Sequence, residues 1–144
     1  MLRNRLATLE DVEAVNEIFT AHSKYLGFVM RVVLEEAAEK GRLLVCEDTE
    51  KNEIVGAVNF GVTKKGYITI YEIASKYERR GIGKKMLEYF FNTKMDIKLK
   101  VTEDNLGAIE FYTRNGFKRI AVEEGKRRKL YVMYYKSPRQ KRLF

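Results

Sequence analysis

Hydrophobic positions along this chain recur with two periods, and the switches between them mark its elements. Residues 2–6 suit an edge strand. Thr8 stands where a helix N-cap would, with Asp11 three residues on, and Val12, Val15, Ile18 and Phe19 follow at helical spacing. A second helix is expected over about 29–40, stopped by Gly41. Strands are expected near 42–47, 54–62 and 67–74, joined by polar turns at 48–52 and 64–66. Ile82, Met86, Tyr89 and Phe90 then mark the buried face of a third helix, with Lys84, Lys85, Glu88 and Asn92 on its wet face. Ile97, Leu99 and Val101 alternate with Lys98, Lys100 and Thr102, the pattern of a half-buried strand. Residues 104–115 read as a helix closed by Gly116, and 117–123 with 129–136 as a final hairpin. No repeat or linker interrupts this order, and 137–144 reads as a loosely held basic tail.

A length of 144 residues suits one domain, 1–144, with a real core. No apolar run approaches the ~18 residues of a membrane span, and the start of the chain has no signal-peptide pattern. The single cysteine, Cys46, lies in the apolar run from Leu43 and reads as a core residue; a cytoplasmic location is the default expectation. Lys and Arg outnumber Asp and Glu by 28 to 20, for a net charge of +8. That balance would draw coenzyme A, nucleic acid or acidic proteins without choosing among them.

The chemistry concentrates at Tyr77-Glu-Arg-Arg-Gly-Ile-Gly-Lys-Lys-Met-Leu87, between a strand and an amphipathic helix. A glycine turn that opens a helix gathers free backbone N–H groups at the positive end of the helix dipole, which makes an anion site. Arg79, Arg80, Lys84 and Lys85 add charge around it. A Walker loop does not fit, since Lys84 is followed by Lys85 and Met86, and the dinucleotide fingerprint lacks its third glycine where Met86 stands.

The turn does resemble Gln/Arg-x-x-Gly-x-Gly/Ala, the pyrophosphate loop of the GNAT superfamily of N-acetyltransferases. Downstream, Asn105-Leu-Gly-Ala108, Phe111-Tyr112 and Asn115-Gly116-Phe117 are similar to that family's second signature. Glu78 departs from it, standing where the family usually has Gln or Arg. The resemblance implies an α/β (α+β) fold, with a mixed, mostly antiparallel central sheet of about seven strands flanked by four helices. It implies acetyl-CoA as co-substrate, with no metal, and transfer of the acetyl group to a primary amine by direct attack in a ternary complex. The acceptor would be a small-molecule or protein amine.

By the same resemblance, backbone donors from Arg79, Arg80, Gly81, Ile82, Gly83 and Lys84 would bind the pyrophosphate, with Gly81 and Gly83 permitting close approach. Ile73, Ala74 and Ser75 would pair their open backbone groups with the pantetheine arm. Asn105 would contact the cofactor, and Tyr112 would be the general acid that protonates the departing thiolate. Asn105, Ala108, Ile109 and Tyr112 share one helical face.

The acceptor must lose a proton: a lysine amine is neutral in about one of several thousand molecules at pH 7, an α-amine in roughly a tenth. Some N-terminal acetylating relatives carry a glutamate where this chain has Lys100, which leaves Glu72 as the candidate base. A solvated or ion-paired Glu72 is the competing reading. His22, the only histidine, reads as a surface residue or as packing between helices, and residues 21–30 occupy the region that shapes the acceptor pocket in many relatives. Lys126-Arg-Arg-Lys129 reads as a solvated hairpin tip, though nucleic acid is an alternative partner. The rival to an enzyme is a non-catalytic acyl-CoA or nucleic-acid binding module on the same fold, and the chain could be a monomer or a homodimer.

Overall fold

The fold comes from a computed structural model that describes residues 1–138. Among these residues there are seven strands and five α-helices. In chain order they are β1 (Leu2–Leu6), α1 (Val12–Ala21), α2 (Ser23–Leu26), α3 (Arg31–Glu39), β2 (Leu43–Asp48), β3 (Glu53–Val62) and β4 (Ile68–Ser75). Then come α4 (Ile82–Phe91), β5 (Ile97–Thr102), α5 (Leu106–Arg114), β6 (Lys118–Glu124) and β7 (Lys129–Tyr135).

Every expected element is present, and the helix count of four is corrected to five. The extra one, α2, is a single turn and too short to show any periodicity. Asp11 closes the first N-terminus as expected, its carboxylate accepting the Thr8 N–H at 2.8 Å, but a 3-10 turn over Leu9–Asp11 precedes α1. The helix expected from Val29 begins at Arg31, because Met30 is held in extended conformation and Gly27 turns the chain at φ +72°.

The chain folds as two compact units. The first is Met1–Gly61 with Ile70–Tyr89. In it, β2 lies between β1 and β3, antiparallel to both, and most of β4 completes the order β1-β2-β3-β4. One face of this sheet, through Leu43, Val45, Ala57 and Ala74, packs on Val15, Phe19 and Leu34 of the helices. The other face carries α4. Gly56 of β3 lets it in, since a Cβ there would stand 2.7 Å from Ile82 Cγ2 and 2.9 Å from Met86 Sδ. Cys46 is fully buried here, as expected, and burial pushes its thiol up to about 11.

The second unit is Val62–Thr69 with Phe90 onward. In it β7 lies between β5 and β6, antiparallel to both. Ile97, Leu99 and Val101 are buried, as the alternation predicts. Buried Asp96 is a junction: its carboxylate accepts the Tyr134 hydroxyl and the Ser137 N–H, each at 2.8 Å, and its carbonyl accepts the Ile68 N–H. The expected loose tail is thus corrected at its start, because Ser137 is buried and tied to Asp96. The rest of that tail, 139–144, lies outside the described residues.

Candidate active site

In the first unit, the glycine turn opens α4 as the sequence predicts. The first hydrogen bond into the helix is Lys85 N–H to Gly81 carbonyl at 2.9 Å. That leaves the amides just before Lys85 as free donors at the helix start. Gly81 has φ +75°, and nothing lies within 4 Å of where its Cβ would be. Glycine is needed there for the left-handed backbone, and the space beside it is open. Arg79 is also left-handed, at φ +60°. Glu78, Arg79, Arg80 and Lys84 are exposed, so the cations can reach an anion at the turn. These features fit a diphosphate.

The connector into the turn is pinned to β3. Lys76 N–H donates to the Val55 carbonyl at 2.7 Å, and the Tyr77 hydroxyl donates to Glu53 at 3.0 Å. Arg80 in turn stacks on the Tyr77 ring, 4.5 Å from its centroid. At the end of β4, Ser75 offers its carbonyl to His22, whose Nε2 lies 2.8 Å away. His22 joins α1 to α2, so it does sit between helices, but its ring is bonded to the strand.

A cavity of about 620 Å³ opens in this same unit, within the usual range for ligand sites. Its walls come from Phe28, Val29 and Met30, from Val33, Glu36 and Ala37 of α3, and from Arg42, Asn59, Tyr71 and Glu72. Glu72 is half-buried and faces inward, not out into solvent. Buried Asn59 donates its Nδ2–H to Glu72 Oε1 at 2.7 Å. Burial raises the Glu72 carboxyl above its ordinary value, and the Asn59 bond pulls it partly back. Asn59 pairs in register with Leu43, which places it on the helix-covered face. Gly61 shares that face by the two-residue alternation, and the Tyr71 hydroxyl lies 2.8 Å from where a Gly61 Cβ would stand. Consecutive Tyr71 and Glu72 therefore reach one face, the mark of a bulge in β4. Neither Asn59 nor this bulge was anticipated. The available signal was a lone asparagine inside the apolar run 54–60, since a buried amide needs a partner.

In the second unit, Asn105 is the N-cap of α5, its Oδ1 accepting the Ala108 N–H at 3.3 Å. Tyr112 is buried between Phe111 and Phe117, with ring centroids 5.5 Å away in each case. Burial holds its phenol far above the ordinary value, so it stays protonated. Lys100 is ion-paired with Glu123 at 2.8 Å. Lys126, Arg127 and Lys129 are exposed at the β6–β7 turn, as expected of a hairpin tip. Among the described residues, no group of His, Cys, Asp and Glu could hold a metal ion, and no helix is long and apolar enough to cross a membrane.

The chain matches the acetyltransferase (GNAT) family over residues 10–117, and it belongs to that family. Its fold is the GNAT fold, a mixed sheet of seven strands with helices. It is similar to Ard1 from Thermoplasma volcanium, at 20% identity and a TM-score of 0.82 over 96% of this chain and 99% of that one. It is also similar to the ribosomal-protein-S18-alanine N-acetyltransferase from Escherichia coli, at 17% identity and 0.79 over 100% and 99%. A third neighbour, from Salmonella typhimurium, is described as an acetyltransferase and was solved with its cofactor acetyl-CoA; it is 17% identical, at 0.75 over 96% and 95%. No curated protein matches the chain by sequence. Acyl transfer is the class of chemistry this membership supports, with acetyl-CoA as co-substrate.

Proposed function

We propose that the protein transfers an acetyl group from acetyl-CoA to a primary amine by direct attack within a ternary complex. The observation that carries this reading is Glu72, a half-buried carboxylate held by Asn59 at 2.7 Å in the wall of a ligand-sized cavity. A carboxylate whose pKa is raised is a stronger base, and Glu72 would take the proton that the attacking ammonium must lose.

The remaining roles rest on family membership. The backbone donors of Arg79 to Lys84 would hold the diphosphate, and the main chain of Ile73, Ala74 and Ser75 would align the pantetheine arm. Asn105, with its oxygen used in capping, has its amide nitrogen left for the cofactor. Tyr112, kept protonated by burial, would supply the proton that the departing sulfur takes up. Acetyl-CoA when bound provides a thioester, already activated for attack. Its thiol has a pKa near 8.5, so protonation helps the departure without being decisive. Holding both reactants side by side supplies the larger part of the rate enhancement.

Thiol release from acetyl-CoA in the presence of mixed amines tests this reading, with calorimetry of coenzyme A binding alongside. Amine-dependent release is the expected result. Coenzyme A binding without amine-dependent release, or salt-sensitive binding to RNA or DNA in its place, would point to the non-catalytic module.

A further inference from the structure

The wall of the cavity beside Glu72 has a chemistry of its own. Four of its large apolar side chains are left in solvent: Phe28 is 85% exposed, Tyr71 58%, Met30 50% and Val33 43%. Exposed apolar groups gathered around one opening mark a surface that a ligand covers. Phe28 and Met30 stand in the extended segment after Gly27, and Val33 is on the first turn of α3.

The charges of the wall narrow the ligand further. Glu36 and Lys40 neutralise each other at 2.6 Å along α3. Arg42 accepts the Phe60 N–H, one register step from the Leu43–Asn59 pair. Arg42 also lines the cavity, beside Phe60. Glu72 is the lining carboxylate without an ion pair among the described residues, and Phe28, Met30, Val33 and Tyr71 form an apolar collar in the same wall. The complement of this arrangement is a single cation on an apolar body. A second ammonium would lie against apolar side chains, and a carboxylate beside the amine would meet Glu72 itself; both are unfavourable.

We infer that the acceptor is a primary amine carried on an uncharged aromatic or branched aliphatic body, bound with its ammonium at Glu72 and its body against Phe28, Met30 and Tyr71. This rests on the acetyl-transfer reading, and the experiment separates the two. Acetyl-CoA turnover is measured with 2-phenylethylamine, isopentylamine, phenylalanine, glutamate and spermidine, and binding of 2-phenylethylamine is measured by calorimetry. The expected result is a kcat/KM for the two apolar amines at least about tenfold above the other three. Phe28→Ser should raise KM for 2-phenylethylamine about tenfold, the scale of losing one apolar contact surface. A preference for spermidine, glutamate or phenylalanine would overturn the acceptor class and leave acetyl transfer standing. Binding of 2-phenylethylamine with no turnover of any amine would overturn acetyl transfer and keep the site. Neither binding nor turnover of the apolar amines overturns the inference outright.

Discussion

The imidazole Nε2 of His22 lies 2.8 Å from the main-chain oxygen of Ser75, joining the α1–α2 junction to the last residue of β4. Both ends of this bond matter to the site. Residues beyond His22 lead into the segment that forms the cavity wall at Phe28 and Met30. Residues before Ser75 carry Glu72, and those after it lead to the glycine turn. A carbonyl needs a donor, so Nε2 carries the proton in this bond. Replacing His22 with Ala removes one neutral hydrogen bond, worth about 0.5–1.5 kcal/mol. We expect KM for acetyl-CoA to rise roughly two- to tenfold with a smaller change in kcat. His22→Gln, whose amide can donate to the same carbonyl, should recover part of the loss. Steady-state kinetics with acetyl-CoA varied at saturating amine checks both; equal KM values for His22→Ala and the unaltered protein would leave the bond without a role in binding.

Gly56 gives a stability prediction. Ile82 and Met86 occupy the space that any side chain there would need. Ile82 is the first residue of α4, so a side chain at 56 pushes on the helix start itself. Gly56→Val should cost about 1–3 kcal/mol through overpacking. Denaturant unfolding reads the cost directly, and a parallel loss of coenzyme A affinity in the folded variant would tie Gly56 to the geometry of the turn.

Much of this was legible in the residues. The glycine turn and the helix after it stand where predicted, because a left-handed glycine, Gly81, and a one-sided apolar helix leave local signatures. The alternation 97–102 likewise fixed β5 and its faces, for the same reason. Long-range relationships were not legible. His22 reads as a packing residue until Ser75, far along the chain, is seen beside it. Asp96 carries no local pattern at all, yet it gathers Tyr134 and Ser137 across the second unit. Asn59 announced a need for a partner without naming Glu72. The bulge at Tyr71 and Glu72 breaks the two-residue rule, and a break of that kind is visible only once the neighbouring strand is in place.

Tyr112 tests the division between packing and proton transfer. Its ring is packed on Phe111 and Phe117, and Phe in its place keeps that packing while removing the hydroxyl. Tyr112→Phe should leave the melting temperature close to that of the unaltered protein. If the phenol protonates the departing thiolate, kcat should fall by roughly tens- to a few hundred-fold, the lower range for a general acid. An unchanged kcat would leave Tyr112 as an aromatic of the second unit's core and nothing more.

Glu72 makes the pH dependence informative, because activity and stability should respond to it in opposite ways. Burial raises its carboxyl, so the folded protein holds this proton more tightly than the unfolded chain does. Its contribution to stability is therefore present below the unfolded pKa, about 4.3, and lost as pH rises through the folded value. With Glu72 as the base, activity needs the ionised form and should rise with pH through that same folded value, with an acid limb above the ordinary glutamate range. Glu72→Gln keeps an oxygen for Asn59 and cannot ionise. It should lower kcat/KM by roughly 10²–10⁴-fold at pH 7 and flatten the acid limb. It should also raise the melting temperature at pH 8 relative to the unaltered protein, with the gain shrinking toward pH 4. A variant that loses activity but keeps the original acid limb would assign that limb to another group and remove Glu72 as the base.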